Sequence, residues 1–188
     1  MYRSFIKRLI DILASVGVLI FLSPILIIIA LIIWLQDFGP VIFKHKRVGK
    51  GGKLFDFYKF RSMPVGTPNV QSHETKKITI TPFGKFIRRS NLDEIPQLYN
   101  ILKGDMSLIG PRPPIPTQTN LIELRKENGA LNCKPGLTGL AQVNSYDYMP
   151  ETEKAKWDGI YARELNFALD VKIVLKTFLY LTKKPPTY

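Results

Sequence analysis

Cysteine is almost missing from this chain: among 188 residues there is only Cys133, so no disulfide can close within it and nothing points to an oxidising compartment. Histidine is nearly as scarce, with His45 and His73 alone, which argues against a histidine-based zinc site or a Ser-His-Asp triad. No Gly-Lys pair is followed by Ser or Thr, so there is no Walker-type phosphate loop. Internal repeats and low-complexity tracts are also lacking. Acidic residues are few, 15 Asp and Glu against 27 Lys and Arg, for a formal charge of +12. Such an excess implies an anionic partner or surface: nucleic acid, phosphorylated small molecules or acidic lipid. The length suffices for one soluble domain with a modest core.

What the chain does have is a long run without charge, Ile12 to Leu35. It exceeds the ~20 residues that cross a bilayer core and is too long for a signal-peptide apolar region. Its N-terminal flank carries Arg3, Lys7 and Arg8; its C-terminal flank carries Lys44, Lys46, Arg47, Lys50, Lys53, Lys59 and Arg61. Positive charge marks the cytoplasmic side, and both flanks qualify. Near the middle stand Ser23 and Pro24. Proline removes a helical hydrogen bond, and a neighbouring serine can satisfy the freed carbonyl. These features favour a helix that enters one leaflet, breaks at Ser23-Pro24 and returns to the same face. An ordinary crossing with Met1 outside also satisfies the charges.

Beyond this segment, Val41 to Val48 and Leu54 to Met63 read as strands of a hairpin around Gly49-Lys50-Gly51-Gly52-Lys53. Alternation puts Phe55, Phe57, Lys59 and Arg61 on one face of the second strand and Asp56, Tyr58 and Phe60 on the other. Lys59 and Arg61 there suit equally a cation laid over apolar surface and a phosphate contact. Residues 64–77 read as a polar surface loop. Asp93 to Leu102 reads as a helix with Ile95, Leu98, Tyr99 and Leu102 as its apolar face, Ser90 or Asn91 as cap and Gly104 as stop. Pro111 to Pro116 is rigid and extended, and Leu121 to Asn128 is a short helix. Lys134 to Asn144 is a loop followed by a strand, and Lys154 to Lys183 an interfacial helix broken near Asp170. The fold class expected is α+β: a re-entrant membrane helix over residues 1–36, then a catalytic domain over 37–188 with a small hairpin, a catalytic helix and amphipathic interfacial helices.

Asp93-Glu94 is the most informative pair. At a helix start two adjacent carboxylates point about 100° apart and can reach one site from two sides. One can attack phosphorus while the other holds a divalent cation such as Mg²⁺. Acidic residues at such a position also serve simply to complement the helix dipole. Arg88 and Arg89 lie just before the pair, and Arg112 is held in the stiff Pro111-Arg112-Pro113 turn. Arginine suits bidentate recognition of phosphate, and also contact with lipid headgroups.

Three blocks resemble the monotopic phosphoglycosyl transferases of bacterial glycoconjugate assembly. The first is Gly39-Pro40-Val41-Ile42-Phe43 through Tyr58-Lys59-Phe60-Arg61-Ser62-Met63. The second runs from Thr81-Pro82-Phe83-Gly84 through Asp93-Glu94-Ile95-Pro96-Gln97-Leu98 to Gly110-Pro111-Arg112-Pro113. The third is Lys134-Pro135-Gly136-Leu137-Thr138-Gly139-Leu140-Ala141-Gln142-Val143-Asn144. With the N-terminal helix and Leu169-Asp170-Val171-Lys172, the resemblance covers nearly the whole chain.

That resemblance implies a re-entrant helix and a Mg²⁺-dependent, two-step transfer of a sugar phosphate from a UDP-sugar to polyprenyl (undecaprenyl) phosphate. It gives Asp93 the role of nucleophile and Glu94 that of Mg²⁺ ligand. Arg88 and Arg112 become phosphate-binding residues, with Lys59 and Asp170 as weaker candidates. It places the enzyme at the cytoplasmic face of a bacterial inner membrane, among anionic lipids. Against larger relatives with extra N-terminal membrane helices, a small, minimal member of the family is expected. In size it resembles the enzyme that begins bacterial N-linked protein glycosylation, whose donor is UDP-N,N'-diacetylbacillosamine. Residues 64–77 and 145–156 match no family pattern and are the expected seat of sugar specificity. Two rival readings are a membrane-anchored nucleic-acid binder, which predicts salt-dependent binding, and a non-enzymatic scaffold on anionic lipid. Neither gives Asp93-Glu94 a role, and no nucleic-acid partner is expected.

Overall fold

The computed structural model describes residues 2–67, 80–146 and 148–181. Most of the 64–77 segment therefore lies outside the described residues, as do Asp147 and positions 182–188. After a π-helical turn at Tyr2–Ile6 comes helix α1 (Lys7–Asp37), then the hairpin strands β1 (Ile42–Val48) and β2 (Leu54–Phe60). Helices α2 (Pro82–Arg89) and α3 (Gln97–Lys103), strand β3 (Ser107–Ile109) and helix α4 (Thr119–Glu127) follow. Strand β4 (Gly136–Thr138), α5 (Leu140–Val143), α6 (Glu151–Glu164) and α7 (Phe167–Leu181) complete the order. The architecture is mixed α and β, with β1 and β2 antiparallel and β3 and β4 a short parallel pair.

Helix α1 is not divided in two at Ser23-Pro24, as the sequence reading expects; it continues through Pro24. The reason is local. Pro24 has no N–H to offer the carbonyl four residues back, that of Ile20. The Ser23 hydroxyl donates to that same carbonyl at 2.8 Å and takes the missing donor's place.

Both ends of α1 are tied to the same folded body. Near its start Arg8 donates to the carbonyls of Ile101 and Leu102 at 2.5 and 2.8 Å. Buried Asp11 accepts from Ser107 Oγ at 3.1 Å and Leu108 N at 2.9 Å. At the far end Arg61 donates to the Ile33 carbonyl at 3.2 Å and pairs with Asp37. Between these anchors Leu19 packs on Phe55, Phe57, Leu98, Ile101 and Met106, while Ile29 and Ile33 join Phe60 and Ile87 in a second cluster. The opposite face is bare: Leu13, Ile20, Phe21, Ile27 and Ile28 are all exposed.

The hairpin forms as its glycines require, with Gly51 and Gly52 at φ +65° and +80° in the turn. Strand β2 stops at Phe60, short of the expected Met63, because Arg61 turns away to the end of α1. Phe55 and Phe57 face one cluster and Phe60 the other, so the hairpin sits between them. The expected helix from Asp93 is displaced. Leu92–Glu94 is a 3₁₀ turn, and α3 begins only at Gln97, after Pro96. Leu98 and Ile101 are buried and Tyr99 is exposed, so the apolar face is rotated from the expected one. Neither Ser90 nor Asn91 caps it: Ser90 Oγ donates back to Phe86, and Asn91 has φ +56°. Gly104 ends α3 at φ +92° as read from the sequence. The strand expected late in 134–144 is instead β4 at its start, followed by α5. The long C-terminal element breaks at Leu165-Asn166, and Asp170 lies inside α7. A third cluster of Ile109, Leu140, Tyr161 and Ile173 holds α6 and α7 against the β3–β4 pair.

Candidate active site

Asp93 and Glu94 lie in the 3₁₀ turn that follows α2, facing the end of β2 and the turn after β3. Their charge is met by side chains rather than by a helix dipole. Lys59 Nζ is 2.6 Å from Glu94 Oε1 and 3.7 Å from Asp93 Oδ2, so one ammonium serves both. The Lys59 ammonium also lies 5.7 Å from the centre of the Phe57 ring. The ring contact fits the reading of a cation laid over apolar surface, and the charged partners of this lysine are the two carboxylates. Arg112 grips Glu94 in bidentate fashion, NH2 to Oε1 at 2.5 Å and NH1 to Oε2 at 3.2 Å.

Arg112 is held there by other residues. Its carbonyl accepts from Arg125 NH1 at 2.8 Å, and Arg125 is pinned by Asp158 Oδ2 through Nε at 2.9 Å and NH2 at 2.6 Å. Next in the chain, the Pro113 carbonyl accepts from Arg47 NH1 at 3.1 Å. The proline-rich turn is thus clamped from two sides. Arg88, in the last turn of α2, donates from Nε to Ser62 Oγ at 2.7 Å. That approach depends on Gly84: a Cβ there would sit 2.0 Å from the Ser62 carbonyl oxygen.

The two carboxylates differ in acidity. Burial raises the pKa of Asp93, and the negative charge of Glu94 adds to that; Lys59, Arg88 and Arg112 oppose it. Burial disfavours ionised Glu94 too, but the charges and hydrogen bonds of Arg112 and Lys59 outweigh it and hold its pKa well below the ordinary value of 4.5. Beside them His45 is packed against Phe43 and Phe57. Burial and the charges of Arg47, Lys59 and Arg112 lower its pKa to about 3, so it is neutral at physiological pH.

Of the residues selected from sequence, Asp93, Glu94, Lys59 and Arg112 come together, with Arg88 close enough to act on Asp93 through its charge. Asp170 does not join them. It accepts from Tyr2 OH at 2.5 Å, Lys7 Nζ at 2.6 Å and Tyr161 OH at 3.0 Å, and so ties the start of α1 to α7. Sequence reasoning missed Ser62, Arg47, Arg125 and Asp158. Only the pairing of distant segments reveals them, although a fully buried Asp158 beside a buried Arg125 is a tertiary signal of a fixed pair.

Among the described residues no group of three or more His, Cys, Asp or Glu forms a self-sufficient metal cage. Two adjacent carboxylates nevertheless fit Mg²⁺, which takes one or two protein carboxylates and completes its octahedron with water and substrate phosphate.

A buried carboxylate, a second one fixed as an anion, and cations beside both are groups of the kind that phosphoryl transfer uses. The chain belongs to the bacterial sugar transferase family, whose pattern matches residues 2–184. It is 36% identical over 204 residues to the undecaprenyl-phosphate galactose phosphotransferase of Salmonella typhimurium, covering 98% of this chain and 42% of the relative. It is 39% identical to the UDP-glucose:undecaprenyl-phosphate glucose-1-phosphate transferase of Klebsiella pneumoniae, covering 91% of this chain and 39% of the relative. It is also 36% identical to the uncharacterized sugar transferase EpsL of Bacillus subtilis, covering 92% of this chain and 85% of that protein. The chain spans about two-fifths of the length of the first two of these relatives.

Proposed function

We propose that this protein transfers a sugar 1-phosphate from a UDP-sugar to undecaprenyl phosphate through a covalent phosphosugar intermediate on Asp93. The observation that carries this reading is the split within one dipeptide: Asp93 is buried and bears no bidentate partner, whereas Glu94 is locked between Arg112 and Lys59. In the first step an Asp93 oxygen bonds to the β-phosphorus of the donor. The bond from that phosphorus to the bridging oxygen breaks, and UMP leaves with the electron pair. In the second step a phosphate oxygen of the carrier attacks the same phosphorus and the Asp93 carboxylate is released. Lys59, Arg88 and Arg112 neutralise charge spreading over the phosphoryl oxygens, the main work a protein does in such a transfer. Glu94 would hold Mg²⁺, which would supply further neutralisation of the diphosphate.

The anchors at both ends of α1 support residues 1–36 as a re-entrant element, with residues 37–188 as a catalytic domain on one face of the membrane. Arg8 and Lys7 at one end, and Asp37 at the other, are held by a single folded body, and the bare apolar face between them needs a lipid environment. The +12 charge supports a position of that body on the cytoplasmic, anionic leaflet of a bacterial inner membrane. Such an arrangement brings a soluble donor and a lipid-bound acceptor to one site, as the first membrane step of glycoconjugate assembly.

The experiment is UMP release by protein in nanodiscs with Mg²⁺ and undecaprenyl phosphate. The donor panel should include UDP-galactose, UDP-glucose and UDP-N-acetylgalactosamine, the sugars in the relatives' names, and UDP-N,N'-diacetylbacillosamine. Release with one donor and none with Asp93→Asn supports the reading and identifies the sugar. Release undiminished in Asp93→Asn removes the covalent step.

A further inference from the structure

A second concentration of positive charge lies away from the Asp93-Glu94 dyad. A cavity of about 430 Å³ opens between the start of α1, β3, the 129–134 turn and α6. Arg3, Lys7, Arg8, Lys50 and Lys134 line it, against a single acidic side chain, Asp11. Asp11 is already engaged by Ser107 and Leu108 N. Lys7 is neutralised by Asp170 at 2.6 Å. Arg3 and Arg8 spend N–H groups on carbonyls, those of Arg163 and Leu165 and of Ile101 and Leu102, which fix the guanidinium groups without cancelling their charge. The side chains of Lys50 and Lys134 have no hydrogen-bond or ion-pair partner among the described residues.

The two regions draw on different sets of charged groups. The main charges that act on Asp93 and Glu94 come from each other and from Lys59, Arg88 and Arg112, and Arg47 also interacts with Glu94. Those that act on Lys134 are Arg8, Asp11, Lys50 and Asp105, and burial with the neighbouring cations lowers its pKa. The cavity carries a net positive charge, and its volume falls in the range of small-molecule sites. Its basic residues alternate with apolar ones that face outward: Phe5 between Arg3 and Lys7, then Leu9 after Arg8, all exposed. Ring contact of Tyr2 with Phe167, at 5.7 Å, brings exposed Phe167 of α7 to the same end. Apolar groups beside a ring of cations mark the depth where lipid headgroups meet acyl chains.

We propose that this cavity binds the phosphate of an anionic phospholipid headgroup and so clamps the start of α1 at the membrane surface. The proposal rests on the reading of α1 as a membrane element, and concerns a lipid that is not a substrate. Full-length protein in delipidated detergent micelles is titrated with phosphatidylglycerol or phosphatidylcholine, and retention is read by native mass spectrometry. The wild type retains phosphatidylglycerol about tenfold more tightly than phosphatidylcholine. Lys50→Gln with Lys134→Gln, which breaks no side-chain hydrogen bond or ion pair among the described residues, loses most of that preference, and Lys134→Arg keeps it. Equal preference in the wild type and the double variant overturns the proposal. Displacement of the lipid by millimolar inorganic phosphate assigns the cavity to a soluble anion and overturns the lipid source. UMP release from the same preparations separates the two readings. Lipid discrimination without release leaves this proposal standing and the transferase reading not; release without discrimination does the reverse.

Discussion

Arg112 holds Glu94 by both carboxylate oxygens, at 2.5 and 3.2 Å, while the adjacent Asp93 receives only the more distant share of Lys59, at 3.7 Å. The two neighbouring carboxylates are shifted in opposite directions: burial raises the pKa of Asp93, and Arg112 and Lys59 lower that of Glu94. Such a split separates roles: the permanently ionised member anchors cations, and the less acidic member is the better nucleophile once deprotonated.

Arg112→Lys keeps the charge but loses the fork. We expect UMP release to fall about 100-fold, the scale of losing one oriented donor to a developing phosphoryl charge. The comparison of Arg112→Lys with Arg112→Ala by steady-state kinetics checks this. Near-equal losses in the two variants mean that the fork matters more than the charge.

Activity should fall on the acid side as Asp93 takes up its proton. Because burial raises that pKa, the acid limb of kcat/KM lies above the 3.8 of an ordinary aspartate. Ionised Glu94 behaves in the opposite sense. Its ion pairs contribute fully above 4.5 and are lost only as pH drops towards its depressed folded value. Kinetics across pH in fixed ionic strength read the limb, and Lys59→Met, which removes an opposing cation, should move it further up.

Asp158→Ala leaves the Arg125 guanidinium buried and unpaired, and should destabilise the protein by about 3–5 kcal/mol. Arg125→Leu combined with Asp158→Leu removes both charges and should recover part of that loss. Denaturation midpoints compare the two. Since Arg125 also holds the Arg112 carbonyl, even the more stable double variant should release UMP more slowly than the wild type.

Both ends of α1 should be accessible from the same side of the membrane. In a Cys133→Ser background, single cysteines introduced by Phe5→Cys and Gln36→Cys should resist an impermeant thiol reagent in intact cells and react in inverted vesicles. Opposite behaviour of the two positions would make α1 an ordinary crossing.

The candidate site was legible because its members sit in contiguous, chemically odd contexts: two acids together, an arginine between prolines, a lysine ending an aromatic strand. The hairpin was legible from Gly49 to Lys53 for the same reason. What the sequence hid was tertiary. Pro96 delays α3 and turns its apolar face, so Ile101, not Tyr99, is buried. Ser23 restores the hydrogen bond that Pro24 removes, so a break became a continuous helix. Asp170 reads as a site residue by position, yet it meets Tyr2 and Lys7 from the other end of the chain. Arg61 likewise leaves its strand for Asp37 and Ile33.

The most direct test of the covalent reading omits the acceptor. The protein is mixed with Mg²⁺ and its active UDP-sugar alone, and intact mass and UMP are followed together. We predict up to one equivalent of UMP, a mass gain of one sugar phosphate located on Asp93, and discharge of that adduct by undecaprenyl phosphate; Asp93→Asn should do none of this. UMP release that waits for the acceptor, with no adduct at any time, would contradict the account and leave a direct transfer in its place.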